Sequence, residues 1–284
     1  MALKRSLLVP IGLTTFLLGI DAAVSLGLVS SMVAFLHSYG GGPFPVAPPN
    51  GAPFLIAGEP ANLVTDQGHT ANAAGGTALI LVGFGGVLAL WLERRSRKKA
   101  SLARPLFYTL TETDNQPQWD RSSPVFYVWA VIVLLSFLLT MVALIYTFVE
   151  TSMNAGQTID LSVAEANPPP ARYPDGGWTP ENWYAALLEL PLVSPSNRRV
   201  IGGNLGMMRG WRWNLVALFV LGFVLLVLVG LEVWRVRRRD TQRVSMAEVR
   251  GIRRSRVPLK EQGTFSSLSF GDLRLSGSGL VMFD

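Results

Sequence analysis

One ionisable side chain stands out by its surroundings. Asp21 lies in the middle of the apolar run Leu7–Leu36. A charged aspartate at the centre of a bilayer costs about 2.5–3.5 kcal/mol on insertion scales, so such a residue is held neutral, is hydrogen bonded, or carries protons or cations. No Lys or Arg in another apolar run reaches Asp21 by sequence reckoning, which leaves the hydroxyls of Ser25, Ser136 or Thr140 as its expected partners and a proton or cation path as the alternative. Other chemistries fall away. The chain has no cysteine, so disulfides, thiolate nucleophiles and cysteine-ligated zinc are excluded. Its two histidines, His37 and His69, lack a spaced carboxylate or second histidine of the kind that makes a zinc helix. The glycines between Gly83 and Gly86 fall inside an apolar run and not after a strand, so they form no phosphate loop. The expectation is a non-enzymatic protein with no catalytic, cofactor-binding or metal residues.

Three further groups of residues invite a binding role. Arg94, Arg95, Arg97, Lys98 and Lys99 follow one apolar run directly, and Arg237, Arg238 and Arg239 follow another. Juxtamembrane clusters of this kind attract anionic lipid at about 1 kcal/mol per residue, and they also fix topology. A nucleic-acid partner is the less simple reading beside apolar runs. Ser101, Ser245 and Ser255 sit beside basic residues as candidate phosphorylation sites, where added negative charge would weaken a lipid contact. Thr15, Gly19, Ala23, Gly27 and Ser31 recur every fourth residue, and small residues let helices approach closely in lipid, within one chain or between copies. Trp183, Tyr184, Leu187 and Leu190 make an apolar face at helical spacing, expected to pack on the neighbouring loop or to meet a partner.

The elements that carry these residues follow from the hydropathy. With 49% hydrophobic and only 15% charged residues, and a mean hydropathy of +0.34, the chain is not a soluble globule. Four apolar windows are long enough to cross roughly 30 Å of hydrocarbon: Leu7–Leu36, Thr77–Leu92, Pro124–Val149 and Trp213–Trp234. The first is too long, and too acidic at its centre, for a cleaved signal. The predicted fold is an all-α integral membrane protein, a four-transmembrane-helix bundle.

Charge orients it. Lys4 and Arg5 precede the first span, the connection 37–76 has no Lys or Arg, and basic clusters follow the second and fourth spans. By the positive-inside rule both termini are cytoplasmic, as is the loop 93–123, while 37–76 and the long loop 150–212 lie outside. Trp91, Trp129 and Trp234 are expected to mark the inner interface, and Tyr39, Tyr146, Trp211 and Trp213 the outer one. The loop 37–76 is dense in Gly and Pro and predicts an extended, partly polyproline path. In the loop 150–212, Thr179, Pro180 and Glu181 supply an N-cap, a first-turn proline and an acid at the positive helix end, predicting a helix over 180–190 that Pro191 stops. The tail 235–284 opens basic and turns Ser- and Gly-rich, with a short helix expected around Val244–Ile252 and disorder from Glu261.

The layout resembles that of tetraspanins, whose Cys-Cys-Gly motif and loop disulfides are missing here. Gly177-Trp-Thr-Pro-Glu-Asn-Trp-Tyr184 and Met208-Arg-Gly-Trp-Arg-Trp-Asn214 look like stretches in uncharacterised four-span membrane proteins of filamentous fungi. That resemblance implies a fungal source and brings no activity with it. The function expected is that of a tetraspan membrane organiser or structural subunit, in the plasma membrane or another secretory-pathway membrane. Its partners would be lipids, itself or other membrane proteins. The alternative is an ion or proton channel or transporter subunit using Asp21.

Overall fold

The computed structural model describes residues 7–49, 51–107 and 123–255, with the side chains of 99–107, 240 and 242–255 outside the description. The chain divides into two compact units, 1–237 and 238–284. The first holds four helical spans and a loop cap over one end of them; of the second, only helix up to Ser255 is described.

The first span is helix α1 (Leu8–Phe35), which ends in a π-helical turn, Leu36–Gly40. A short hairpin follows, β1 (Phe44–Val46) with β2 (Phe54–Ile56). The second span is continuous through α2 (Asp66–Thr77), a π-helical stretch Ala78–Phe84 and α3 (Gly85–Phe107). The third is α4 (Pro124–Met153), with Pro124 in the first turn where its missing N–H leaves no bond unmade. Two short helices, α5 (Leu161–Ala166) and α6 (Pro180–Glu189), precede α7 (Pro195–Ser255). Among the described residues, four segments are long and apolar enough to cross a membrane: Leu8–Gly40, Asp66–Lys98, Pro124–Met153 and Pro195–Arg239.

The helices outrun the apolar windows at the end away from the basic clusters. The second begins at Asp66 and not at Thr77, and the fourth at Pro195 and not at Trp213, so Arg198, Arg199, Arg209 and Arg212 ride on a helix where a loop was expected. Hydropathy locates what lipid can cover, whereas helix continues for as long as the cap can pack against it. The expected short helix Val244–Ile252 lies within α7, and the expectation of disorder from Glu261 falls outside the described residues.

The interior is a seam at alternating three- and four-residue spacing. On α1 it comprises Ile11, Thr15, Leu18, Ala22, Ser25, Val29 and Met32. Large apolar side chains stand on the outer faces of all four spans, among them Phe16, Phe84, Leu135 and Phe223. An apolar belt that encircles a bundle is stable only where lipid replaces water, which marks a membrane-embedded, multi-pass protein.

The close point of the first three spans is Gly86. A Cβ there would lie 2.8 Å from the Trp129 ring and 2.9 Å from Thr15 Cγ2. The Trp129 indole donates to the Val82 carbonyl at 3.2 Å, within the π-helical stretch. A side chain bonded into a helix ladder is a known companion of such irregularity. Trp129 and Trp211 are interior residues, whereas Trp91, Trp213 and Trp234 are exposed.

The connections 41–65 and 154–194 interlock into one cap. Val46 bridges Leu192, and Leu63 bridges Trp178; Ala61 N–H donates to the Tyr173 carbonyl and Val193 N–H to that of Pro45. The polyproline path expected for 37–76 is in fact a hairpin, whose strands of three residues are too short to signal through the surrounding prolines. Trp178 and Trp183 meet edge to face at 5.1 Å, with Tyr173 against both. The Trp183 indole donates to the Gly58 carbonyl at 2.7 Å. Aromatic packing and interloop hydrogen bonds hold this cap, in a chain without cysteine.

Candidate functional site

At the end of the bundle beside the basic clusters, two carboxylates and a guanidinium join all four spans. Arg97 Nε lies 2.8 Å from Glu93 Oε1, one turn back on α3, and Arg97 Nη2 lies 3.0 Å from Glu232 Oε1 on α7. The second oxygen of each carboxylate accepts from the backbone of a helix start. Ser123 N–H donates to Glu93 Oε2 at 2.9 Å and Leu7 N–H to Glu232 Oε2 at 3.5 Å. Ser123 and Leu7 are the N-cap residues of α4 and α1. Their own side chains cap nothing, so buried acids from neighbouring spans satisfy these N–H groups and sit at the positive ends of both helices.

Glu93 and Glu232 were not singled out in the sequence, so this clasp was missed. The signal was present in the related endings Trp91-Leu-Glu93 and Glu232-Val-Trp234, each an acid in a basic setting. The clasp also changes the reading of Arg97, whose guanidinium is engaged by Glu93 and Glu232 and is not a free lipid ligand. Arg94, Arg95 and Lys98 are exposed, with Arg95 stacked 5.3 Å over the Trp91 ring. Arg237 is exposed in the first unit, and Arg238 and Arg239 are exposed in the second. The side chains of Lys99, Ser101, Ser245 and Ser255 lie outside the described residues.

Asp21 is half-buried, and its Oδ2 is buried without a hydrogen-bond partner. The expected hydroxyl partners are not there. Thr140 donates to the Ser136 carbonyl of its own helix at 2.9 Å, and Ser25 Oγ is itself buried and unpartnered. Helix hydroxyls reach their own carbonyl four residues back more easily than a neighbouring span. A residue not singled out in sequence, Asn214, comes closest: its amide lies 3.4 Å from the Asp21 backbone carbonyl. Below Asp21 a void of about 10 Å³ is lined by Leu18, Val82, Val133, Ser136, Thr140 and Leu225, among others. That is the least volume that holds one water.

The small-residue row divides. Thr15 packs on Gly86 and Gly19 backbone lies 3.9 Å from a Cβ placed on Gly83, whereas Ala23, Gly27 and Ser31 face outward. A strict four-residue row rotates about 40° per step on a helix of 3.6 residues per turn, so it leaves the buried face within a few turns. In the cap, Trp183, Tyr184, Leu187 and Leu190 are all buried, so this face is occupied by the protein's own interior and is not open to a partner.

Ion pairs tie the cap to the bundle. Glu181 Oε1 lies 3.1 Å from Arg212 Nη1 and 3.6 Å from Arg209 Nε, and the Arg212 guanidinium lies 5.6 Å from the centre of the Phe148 ring. Burial raises the Glu181 carboxyl above its ordinary range although both arginines pull it down. Burial likewise raises the Tyr184 phenol, with Glu59 adding to the effect.

Among the described residues no group of His, Cys, Asp and Glu could hold a metal ion. Compared with family models, curated proteins and solved structures, the chain matches none, so nothing there bears on the resemblance to fungal four-span proteins.

Proposed function

We propose that the protein is a non-enzymatic tetraspan organiser or structural subunit of the plasma membrane or another secretory-pathway membrane, with both termini and the basic clasp end in the cytoplasm. One observation carries this reading. Among the described residues, the pocket lined by Leu18, Val82, Val133 and Leu225 holds about 10 Å³, room for one water and not for a solute. Rigidity at both ends supports it too: the clasp joins four helix ends, and the interlocked cap covers the opposite one. The outward small residues Ala23, Gly27 and Ser31 supply a face for self-association, and Arg94, Arg95 and Lys98 supply exposed cations for anionic lipid.

The deciding measurement is the size and copy number of the particle extracted gently from native membrane. The organiser reading expects a defined complex of several chains, and a lone chain in lipid would overturn it. The buried, unpartnered Oδ2 of Asp21 favours the second reading, a channel or transporter subunit. Flux in proteoliposomes tests it. Robust wild-type flux lost in Asp21→Asn with assembly intact would establish transport, and no flux above empty liposomes would remove it.

A further inference from the structure

Beside the clasp, one guanidinium is turned back along the bundle and meets no anion. Side chains on a helix lean toward its N-terminus, and α3 runs from mid-bundle toward the basic end, so Arg94 leans toward the apolar belt. Its Nη2 lies 3.9 Å from a Cβ placed on Gly12 of α1, and the Leu90 side chain lies 3.7 Å from the same point. Gly12 stands between Val9 and Leu13, which are 69% and 60% exposed. The guanidinium is therefore level with apolar side chains that lipid covers. Arg94 is exposed and pairs with no carboxylate among the described residues. The clasp acids are already engaged: both oxygens of Glu93 and of Glu232 accept from Arg97, Ser123 and Leu7.

The surface under this cation has a shape. Gly12 offers no side chain, and a Cβ there would meet only Leu90 and Arg94, both at ordinary contact distance. At about 100° per residue, Val87 falls on the same line of α3 as Arg94, and Phe16 on the same flank of α1 as Gly12. Both are exposed. The missing side chain at Gly12 thus leaves a shallow apolar groove, floored by the buried Leu90, flanked by Phe16 and Val87, with a guanidinium at its head. A second cation stands close by, since Arg95 is stacked over the exposed Trp91 ring one turn along from Val87.

An apolar groove that ends in cations at the level where lipid begins matches the order of parts in a phospholipid, acyl chain below and phosphate above. Charge complementarity narrows the class. Phosphatidylcholine brings a choline cation toward Arg94 and Arg95, whereas a headgroup of net negative charge brings none.

We propose that one anionic phospholipid binds each chain here, its phosphate on Arg94 with Arg95 beside it and one acyl chain in the groove over Gly12 and Leu90. The site rests on the reading of the basic end as a lipid-binding end, and it replaces a diffuse attraction with one lipid at one position.

The test places full-length protein in phosphatidylcholine nanodiscs containing a minor share of phosphatidylserine and counts, by native mass spectrometry, the lipids that each chain retains on release. One phosphatidylserine is expected, and equal retention of phosphatidylcholine overturns the anionic choice. Arg94→Gln should lower the retention about fivefold. Gly12→Leu fills the groove without changing charge and should lower it as far. Unchanged retention in either variant overturns the site: if only Gly12→Leu is silent, the basic end attracts lipid by charge alone, and if both are silent, the lipid reading of that end falls as well. A wild-type measurement guards against a variant that misfolds. Phosphatidylserine with a photoreactive acyl chain should crosslink to residues 9–16 and 87–91, and label spread evenly over all four spans overturns the proposal.

Discussion

The Arg97 guanidinium stands between two buried carboxylates, and removing it would take a cation from each. Arg97→Met is therefore expected to destabilise the bundle by about 3 kcal/mol, the lower end for breaking a buried pair because Arg97 itself is only half-buried. Combining it with Glu93→Gln and Glu232→Gln should recover most of that loss, since glutamine still accepts from Ser123 and Leu7 N–H. Thermal unfolding in detergent reads both, and a triple variant no more stable than Arg97→Met alone would refute the clasp. A second residue-scale test lies in the cap. A Cβ on Gly40 would run into the Tyr184 hydroxyl, which is buried and unpartnered. Gly40→Ala should cost about 1–3 kcal/mol by overpacking, Tyr184→Phe should be neutral or stabilising, and the double variant should regain most of the loss. Equal melting shifts for Gly40→Ala in both backgrounds would show that the hydroxyl is not the obstacle. The paired acidic endings hinted at the clasp, but its link from Arg97 to Glu232 and the Gly40–Tyr184 contact join positions far apart in the chain, which only the folded protein brings together.

At the scale of elements, the features written in local chemistry were the legible ones. Thr179, Pro180 and Glu181 announced α6, and the Thr179 hydroxyl accepts from Asn182 N–H at 3.2 Å. Pro124 announced the start of α4. What local chemistry does not encode stayed hidden. The hairpin depends on Leu192 pairing with Val46, and the outer extensions of the second and fourth spans depend on the cap that covers them. Because α6 fills the cap with Trp183, Tyr184 and Leu187, its capping carries beyond one turn of helix. Thr179→Ala should cost about 1 kcal/mol and expose the Trp183 environment, seen as a fluorescence shift at sub-denaturing temperature. An unshifted spectrum and melting curve would mean that α6 is held by packing alone. Glu181 adds a pH dependence of known sign. Its carboxyl is raised in the folded cap, so the stability that its neutral form contributes is complete below the ordinary value of 4.5 and is lost as pH rises through the higher folded value. In Glu181→Gln that part of the pH profile should vanish.

The whole molecule is asymmetric from end to end. One end carries Arg94, Arg95 and Lys98 around the clasp, and the other an aromatic cap whose ion pairs, Arg172 with Glu59 and Arg212 with Glu181, match charge for charge. Composition made the four spans readable, and the distribution of Lys and Arg implied their direction, because both depend on the bilayer as solvent and not on tertiary contacts. The same asymmetry separates lipid attraction from folding. Replacing Arg94 and Arg95 with glutamine should weaken association with phosphatidylserine vesicles by about 1 kcal/mol per residue and leave the melting temperature in place. Orientation itself can be read directly, since the chain contains no cysteine and any thiol introduced is unique. Leu55 is exposed on the hairpin, and Arg95 is exposed at the opposite end of the bundle. If the basic end is cytoplasmic, a membrane-impermeant maleimide applied to intact cells, or to vesicles of known sidedness, labels Leu55→Cys from the exoplasmic side alone. Arg95→Cys is then labelled only once the membrane is opened. Substitution at either position touches neither the clasp nor the cap interior, so loss of fold does not confuse the readout. Labelling of Arg95→Cys from the exoplasmic side would invert the orientation, and with it the face offered to cytoplasmic lipid.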